Sequence, residues 1–231
     1  MYTLNLDYQA NVIAIPATNE SVVVVDDFLA NPEQVIHYAK TTAYFNPPGT
    51  DRSFYPGKRD KMPLPYKRAL SELLNSLRDR GVLQLDGKVD IYRNELSLTT
   101  VKESQLSLFQ KAPHIDSLDN KDYATVHYLC SEQHGGTSFY CYRPTGMAQF
   151  SDDNAVKNML KSIQHHAHSF DGYIQGDSDL FERVLSVPAK FNRIIIYQGN
   201  ILHSADLKGQ HNQQDDIDNG RLSVASFFYL E

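Results

Sequence analysis

The chain has 231 residues, 41% of them apolar, with 22 basic against 28 acidic side chains and a net charge of −6. That length buries a sizeable core, while the acidic balance excludes a general nucleic-acid binder, which would carry a basic face. No stretch reaches the ~20 apolar residues of a membrane span. The simplest organisation is one domain over residues 1–231: an N-terminal strand and helical support over 1–87, then a β-rich core over 88–231. The opening MYTLNLDYQANVIAIP has no basic segment leading into an apolar run, so a cytoplasmic protein is expected, with Cys130 and Cys141 as reduced core thiols.

In chain order, SVVVVDDFL (21–29) is a β-branched run that predicts a buried strand. NPEQVIHYAKTTA (31–43) predicts a helix with Pro32 in its first turn and Val35, Ile36 and Ala39 on one side. FNPPGTDRSFYPGKRDKMPLP (45–65) is rich in Pro, Gly and charge and reads as a long loop; its Arg52, Phe54, Tyr55, Lys58 and Arg59 suit an acidic or aromatic substrate. YKRALSELLNSLRDRG (66–81) is an amphipathic helix with a Leu70, Leu73, Leu74, Leu77 stripe and a stop at Gly81. From residue 88 the period changes to two. VDIYRNELSLTT, SQLSLFQKA, YATVHYLC, TSFYCYR, NRIIIYQG and RLSVASFFYL all read as strands, with a helical insertion near 152–180. Helices first and many short strands afterwards predict a β-sandwich or jelly roll, helices packed on one sheet. Cys130 and Cys141 fall on neighbouring strands in this reading.

Chemistry concentrates at PHIDS. Residues two apart share one side of a strand, so His114 and Asp116 offer a nitrogen and an oxygen ligand together. RIIIYQGNILHSAD supplies a second imidazole, His203, after an apolar strand and a turn. Two histidines and a carboxylate on one side of a metal leave its other positions open, which is the facial triad of non-haem Fe(II) oxygenases. After the turn signal DNG comes RLSVASFFYL, whose Arg221 needs an anionic partner if it points into the sandwich. A bound dicarboxylate meets that need through bidentate contact, and Ser223 shares its face. The remaining histidines read as structural: a surface cluster at His165 and His168, a packed His127 facing away from Tyr128, a solvated His134, and His37 on a polar helix flank. Gly135 and Gly136 suit a tight turn or bulge.

In order, PHIDS, the Tyr-bearing strand YATVHYLC, the turn HGGTSFY, the distal His203 and the Arg221-x-Ser223 strand resemble the 2-oxoglutarate/Fe(II)-dependent dioxygenases, prolyl-4-hydroxylase-like branch. The resemblance covers roughly residues 90–230 and extends to a bacterial group with no assigned substrate. It implies a double-stranded β-helix (jelly roll, cupin-like), with His114, Asp116 and His203 binding Fe(II). Arg221, Ser223 and Tyr128 would hold the distal carboxylate of 2-oxoglutarate, with O2 as co-substrate. It further implies decarboxylation to succinate with hydroxylation of an unidentified small molecule, peptide or protein. Halogenating relatives lack the carboxylate ligand that Asp116 supplies, so halogenation is not expected. Related oxygenases are often homodimers, and neither a nucleic acid nor a membrane is an expected partner. The segment 207–219 is longer than the branch usually shows there and reads as an inserted loop. Two alternatives stay open: a non-catalytic jelly-roll binding module, and a zinc hydrolase using the same three ligands.

Overall fold

Period-two apolar spacing in the second half of the chain becomes two facing antiparallel sheets. The computed structural model describes residues 2–207 and 214–231. In chain order the elements are β1 (Gln9–Ala14), β2 (Ser21–Asp26), α1 (Glu33–Thr41), β3 (Gly57–Lys61), α2 (Leu64–Asp79), β4 (Val89–Thr99), β5 (Asp122–Tyr128), β6 (Gly136–Tyr142), α3 (Asp153–His165), β7 (Phe181–Pro188), β8 (Arg193–Gln198), β9 (His203–Asp206) and β10 (Leu222–Leu230). The larger sheet runs β1-β2-β8-β5-β10-β4-β3 and the smaller β7-β6-β9. Together they form a double-stranded β-helix with helical support, as the family resemblance implies and in keeping with the sandwich or jelly roll that the patterning predicts.

One face of the larger sheet carries α2. Leu70, Leu73, Leu74 and Leu77 are fully buried there against Leu96, Leu98, Ile194, Ile196 and Val224. Each such leucine contributes about 2 kcal/mol of apolar transfer energy. Gly81 ends the helix at φ +69°, a conformation that favours glycine. The other face looks into the sandwich, where Tyr128, Phe139, Ile195, Tyr197 and Ile201 meet. Helix α3 covers the outside of the smaller sheet with Met159 and Ile163. Among the described residues no helix is long and apolar enough to cross a membrane.

Several local expectations give way. SQLSLFQKA is not a strand but two short 3-10 turns, Glu103–Gln105 and Leu108–Gln110, because Leu106 and Leu108 pack into different clusters rather than onto one face. The loop 45–65 contains β3, an edge strand of sequence GKRDK; its charges hide it from an apolar pattern, and edges favour them. Strands β1 and β7 were not anticipated either. Cys130 follows β5 of the larger sheet and Cys141 lies on β6 of the smaller, so the two are not on neighbouring strands; both are buried free thiols. Part of the inserted loop, residues 208–213, lies outside the described residues.

His127 is packed, as expected, with no exposed surface. Its Nδ1 accepts from the Tyr66 hydroxyl at 3.2 Å and its Nε2 donates to Asn192 Oδ1, also at 3.2 Å. Burial holds its pKa down at about 3. The unfolded chain therefore binds a proton below pH ~6.5 that the folded chain refuses, and stability falls as pH drops through that window. Between pH 7.5 and 5 this one group removes about 2 kcal/mol, at ~1.4 kcal/mol per pH unit below 6.5. Urea unfolding at the two pH values should show that loss, and His127→Gln should abolish His127's share of it.

Candidate metal centre

The segment that carries PHIDS lies alongside β9 as a single bridge, in the place of a fourth strand of the smaller sheet. His114 N donates to His203 O at 2.8 Å and His203 N returns to His114 O at 2.9 Å. Asp116 N donates to Gly199 O at 2.7 Å, in the turn between β8 and β9. These backbone bonds bring together residues far apart in sequence. The imidazole rings of His114 and His203 have centroids 4.5 Å apart. One carboxylate oxygen of Asp116 lies 3.4 Å from His203 Nε2 and the other 3.8 Å from His114 Nε2. A ligand atom from each of the three lies within 4.8 Å of the others. His114 and Asp116 thus share one direction through an extended segment, without the strand that the sequence suggests.

Tautomer and charge suit metal binding. His203 Nδ1 donates to Ile201 O at 2.8 Å, which leaves its Nε2 lone pair facing the common point. Burial would lower the His203 pKa, but the Asp116 charge and hydrogen bond outweigh it and raise the value. Burial likewise pushes the Asp116 carboxyl up, and His203, His114 and Arg59 bring it below the usual carboxylate range. Desolvation and the neighbouring His203 hold His114 at about 4. Its side chain is 53% accessible through the mouth, so solvent opposes part of that desolvation. The acid is held anionic and His114 neutral, while Asp116 favours the protonated form of His203, so a metal would displace a proton there.

Arg221 enters the sandwich and is 3% exposed. Its Nη2 donates to Gly136 O at 3.1 Å, and its Nε is buried with no partner. Among the described residues no carboxylate pairs with it. The guanidinium lies 5.7 Å from the Tyr128 ring centroid. The Tyr128 hydroxyl is bonded to Thr137 Oγ1 at 2.7 Å, and burial pushes its pKa up to about 12. Ser223 stands beside both, opposite Tyr128 on β5 and Ser97 on β4. The approach to Arg221 is tightly built. Gly220 has no room for a Cβ, which would sit 2.4 Å from Asp216 O. Ion pairs from Lys40 to Asp218 and Lys58 to Asp215 hold the turn down.

His134 is buried, not solvated: Ser131 Oγ meets its Nδ1 at 3.2 Å and its Nε2 donates to Asn219 O at 3.0 Å. The returning segment before Arg221 covers it, a contact between residues 85 apart that local pattern does not reveal. Gly135 takes φ +82°, and a Cβ there would lie 1.5 Å from Asp206 O, so the glycine turn is required by backbone contact. His165 and His168 are exposed, as the surface reading expects.

Tyr197 is the residue that sequence reasoning overlooked. Its ring packs edge-on against His203 at 4.8 Å. Burial raises its hydroxyl pKa far above the ordinary tyrosine value, with Asp116 and Arg221 both close enough to act on it. It therefore lies beside His203, within range of both the Asp116 and the Arg221 charge. The signal was present: Tyr197 shares the inward face of β8 with Ile195. Arg59, from the presumed loop, is also near enough for its charge to reach His114 and Asp116.

The donor set fits Fe(II), and the orphaned buried Arg221 Nε fits an anionic co-ligand. A model of a family described as "Family of unknown function (DUF6445)" matches residues 6–228. No curated protein is similar to the chain in sequence. Among solved structures, HygX from Streptomyces hygroscopicus with nickel and 2-oxoglutarate bound is similar over 90% of this chain and 82% of that one, at 10% identity and TM-score 0.51. The non-heme alpha ketoglutarate dependent epimerase SnoN from nogalamycin biosynthesis is similar over 90% and 78%, at 12% identity and TM-score 0.47. An oxidoreductase of the 2OG-Fe(II) oxygenase family from Burkholderia pseudomallei is similar over 90% and 84%, at 11% identity and TM-score 0.47. The likeness to HygX establishes a shared fold.

Proposed function

This chain belongs to DUF6445, a family whose function is unknown, and from that premise we propose that it is an Fe(II)- and 2-oxoglutarate-dependent oxygenase that hydroxylates its substrate. The observation that carries the reading is the pairing of a His114–Asp116–His203 cluster with a buried cation that lacks an anion. A binding module has no use for three ligand atoms within 4.8 Å. A zinc hydrolase accounts for those ligands and leaves Arg221 unexplained.

In this reading His114, Asp116 and His203 hold the iron on one side. When bound, iron and 2-oxoglutarate supply oxidative chemistry that releases succinate and CO2. The chain's part is to bind, orient and keep water out. Arg221 receives the distal carboxylate in the bidentate manner guanidinium favours, and Ser223 donates beside it. Tyr128 turns its hydroxyl to the same group while Thr137 keeps it oriented. Tyr197 and Phe139 place aromatic surface beside His203. With Asp116 as the third ligand, its carboxylate would fill the place that a halide takes in halogenating enzymes, which favours hydroxylation.

The protein reconstituted anaerobically with Fe(II), given 2-oxoglutarate and then air, should form succinate without added substrate at a slow uncoupled rate. Succinate that appears only with both iron and oxygen supports the reading. Stoichiometric iron and 2-oxoglutarate with no succinate would leave a binding module instead.

A further inference from the structure

The inner face beside the metal centre carries an ionic arrangement that the proposed chemistry does not use. On β3 and β4, Arg59 and Ser97 are cross-strand partners, and Ser97 is in turn the partner of Ser223. Arg59 Nε donates to Ser97 Oγ at 3.1 Å. Arg93, two register rows along the same face, donates through Nε to Glu95 Oε1 at 3.2 Å. A single oxygen, Asp51 Oδ2, accepts from both guanidiniums, at 3.2 Å from Arg59 and 2.5 Å from Arg93. Asp51 belongs to no strand or helix. It sits in a turn between Gly49 at φ +80° and Arg52 at φ +59°, and its other oxygen holds Ser53. A cavity of about 140 Å³ adjoins this turn, lined in part by Thr50, Asp51, Arg59, Asp60, Lys61 and Glu95. The turn is held to this face through the ion pairs of Asp51 and the bond from Arg59 to Ser53 Oγ, with open volume beside them.

We propose that Arg59 and Arg93 form the subsite for a carboxylate on the substrate, and that Asp51 occupies this subsite until the substrate displaces it. The inference rests on the oxygenase reading for the word substrate, and on ion-pair geometry for the rest. Charge balance supports it. With Asp51 in place, two guanidiniums face two carboxylates. With Asp51 withdrawn, Glu95 alone remains on Arg93, and Arg59 loses the carboxylate it pairs with. The Arg59 side chain is 12% accessible, so leaving it without its carboxylate is unfavourable. Opening of the turn and arrival of an anion are thereby coupled. Phe227, whose ring centre lies 5.8 Å from the Arg93 guanidinium, and Tyr92 stacked on it offer an apolar surface next to the subsite.

The test uses phenylacetate and phenethylamine, matched in size and opposite in charge, titrated by NMR against the full chain without iron or 2-oxoglutarate. Asp51→Asn removes the internal competitor and should tighten phenylacetate roughly two- to fivefold, the range of a partly exposed ion pair. Arg93→Gln should weaken it about tenfold or more, as loss of a charge-assisted bond does. Phenethylamine should bind to none. Phenylacetate affinity that does not rise in Asp51→Asn, affinity unchanged in Arg93→Gln, absence of binding in every variant, or equal binding of the amine would each overturn the subsite. Should Asp51→Asn fail to fold, the Arg93→Gln and amine comparisons still decide. Succinate formation measured on the same preparations keeps the readings apart: turnover without these binding effects removes the subsite alone, and these effects without turnover remove the oxygenase alone.

Discussion

Asp116→Ala should abolish iron-dependent succinate formation and weaken metal binding by at least roughly 100-fold, since even a group one shell away from a metal contributes 10- to 100-fold. Two effects combine. The cluster loses its one anionic ligand, and two neutral imidazoles remain for a divalent cation. His203 also loses the carboxylate oxygen that lies 3.4 Å from its Nε2 and helps to hold the ring in place. The fold should tolerate the change, because the backbone bond from residue 116 to Gly199 O does not involve the side chain. Circular dichroism melts and metal titration on one preparation separate the outcomes. A folded Asp116→Ala that keeps wild-type metal affinity removes Asp116 from the site, and the oxygenase reading with it.

How much of this was legible beforehand depends on what fixed each element. Strands β5, β8 and β10 were readable because both their faces meet apolar layers, so IIIY and VASFF announce themselves. Strand β3 was not, because its pairing energy comes from β4 and its charged residues show no apolar alternation. The alternation of SQLSLFQKA misled because period two is necessary for a strand and not sufficient. No partner strand runs beside that segment until His114 meets His203. The three ligands were readable from motif order, and their convergence depends on three backbone hydrogen bonds that no spacing rule predicts. His134 was missed because it is defined by a residue distant in sequence, Asn219, whereas for Tyr197 the inward face was readable and the Asp116 and Arg221 charges near it were not. Local pattern shows which face a residue takes, and only the packed sheets show what waits there.

Arg221→Met should raise the KM for 2-oxoglutarate by about 100-fold while leaving metal affinity unchanged, the loss expected when charge-assisted bonds of ~2.7 kcal/mol disappear. Methionine keeps the length and apolar stem of the side chain and deletes the fork. The same substitution should not destabilise the cofactor-free protein, and should stabilise it by about 1–3 kcal/mol, the desolvation penalty of a buried polar group without a partner. The reason is the present environment of Arg221: 3% exposure, one bond to Gly136 O and an unpartnered Nε. A residue kept for the fold would behave in the opposite way, with stability lost and co-substrate affinity incidental. Urea unfolding without ligand and the dependence of succinate formation on 2-oxoglutarate measure the two halves independently. Opposite signs, a more stable protein that binds its co-substrate poorly, would mean that Arg221 is retained at a cost in stability for an anion the chain itself does not supply. A destabilised Arg221→Met with unchanged KM would assign the guanidinium to the glycine turn it touches and leave the anion site without its cation.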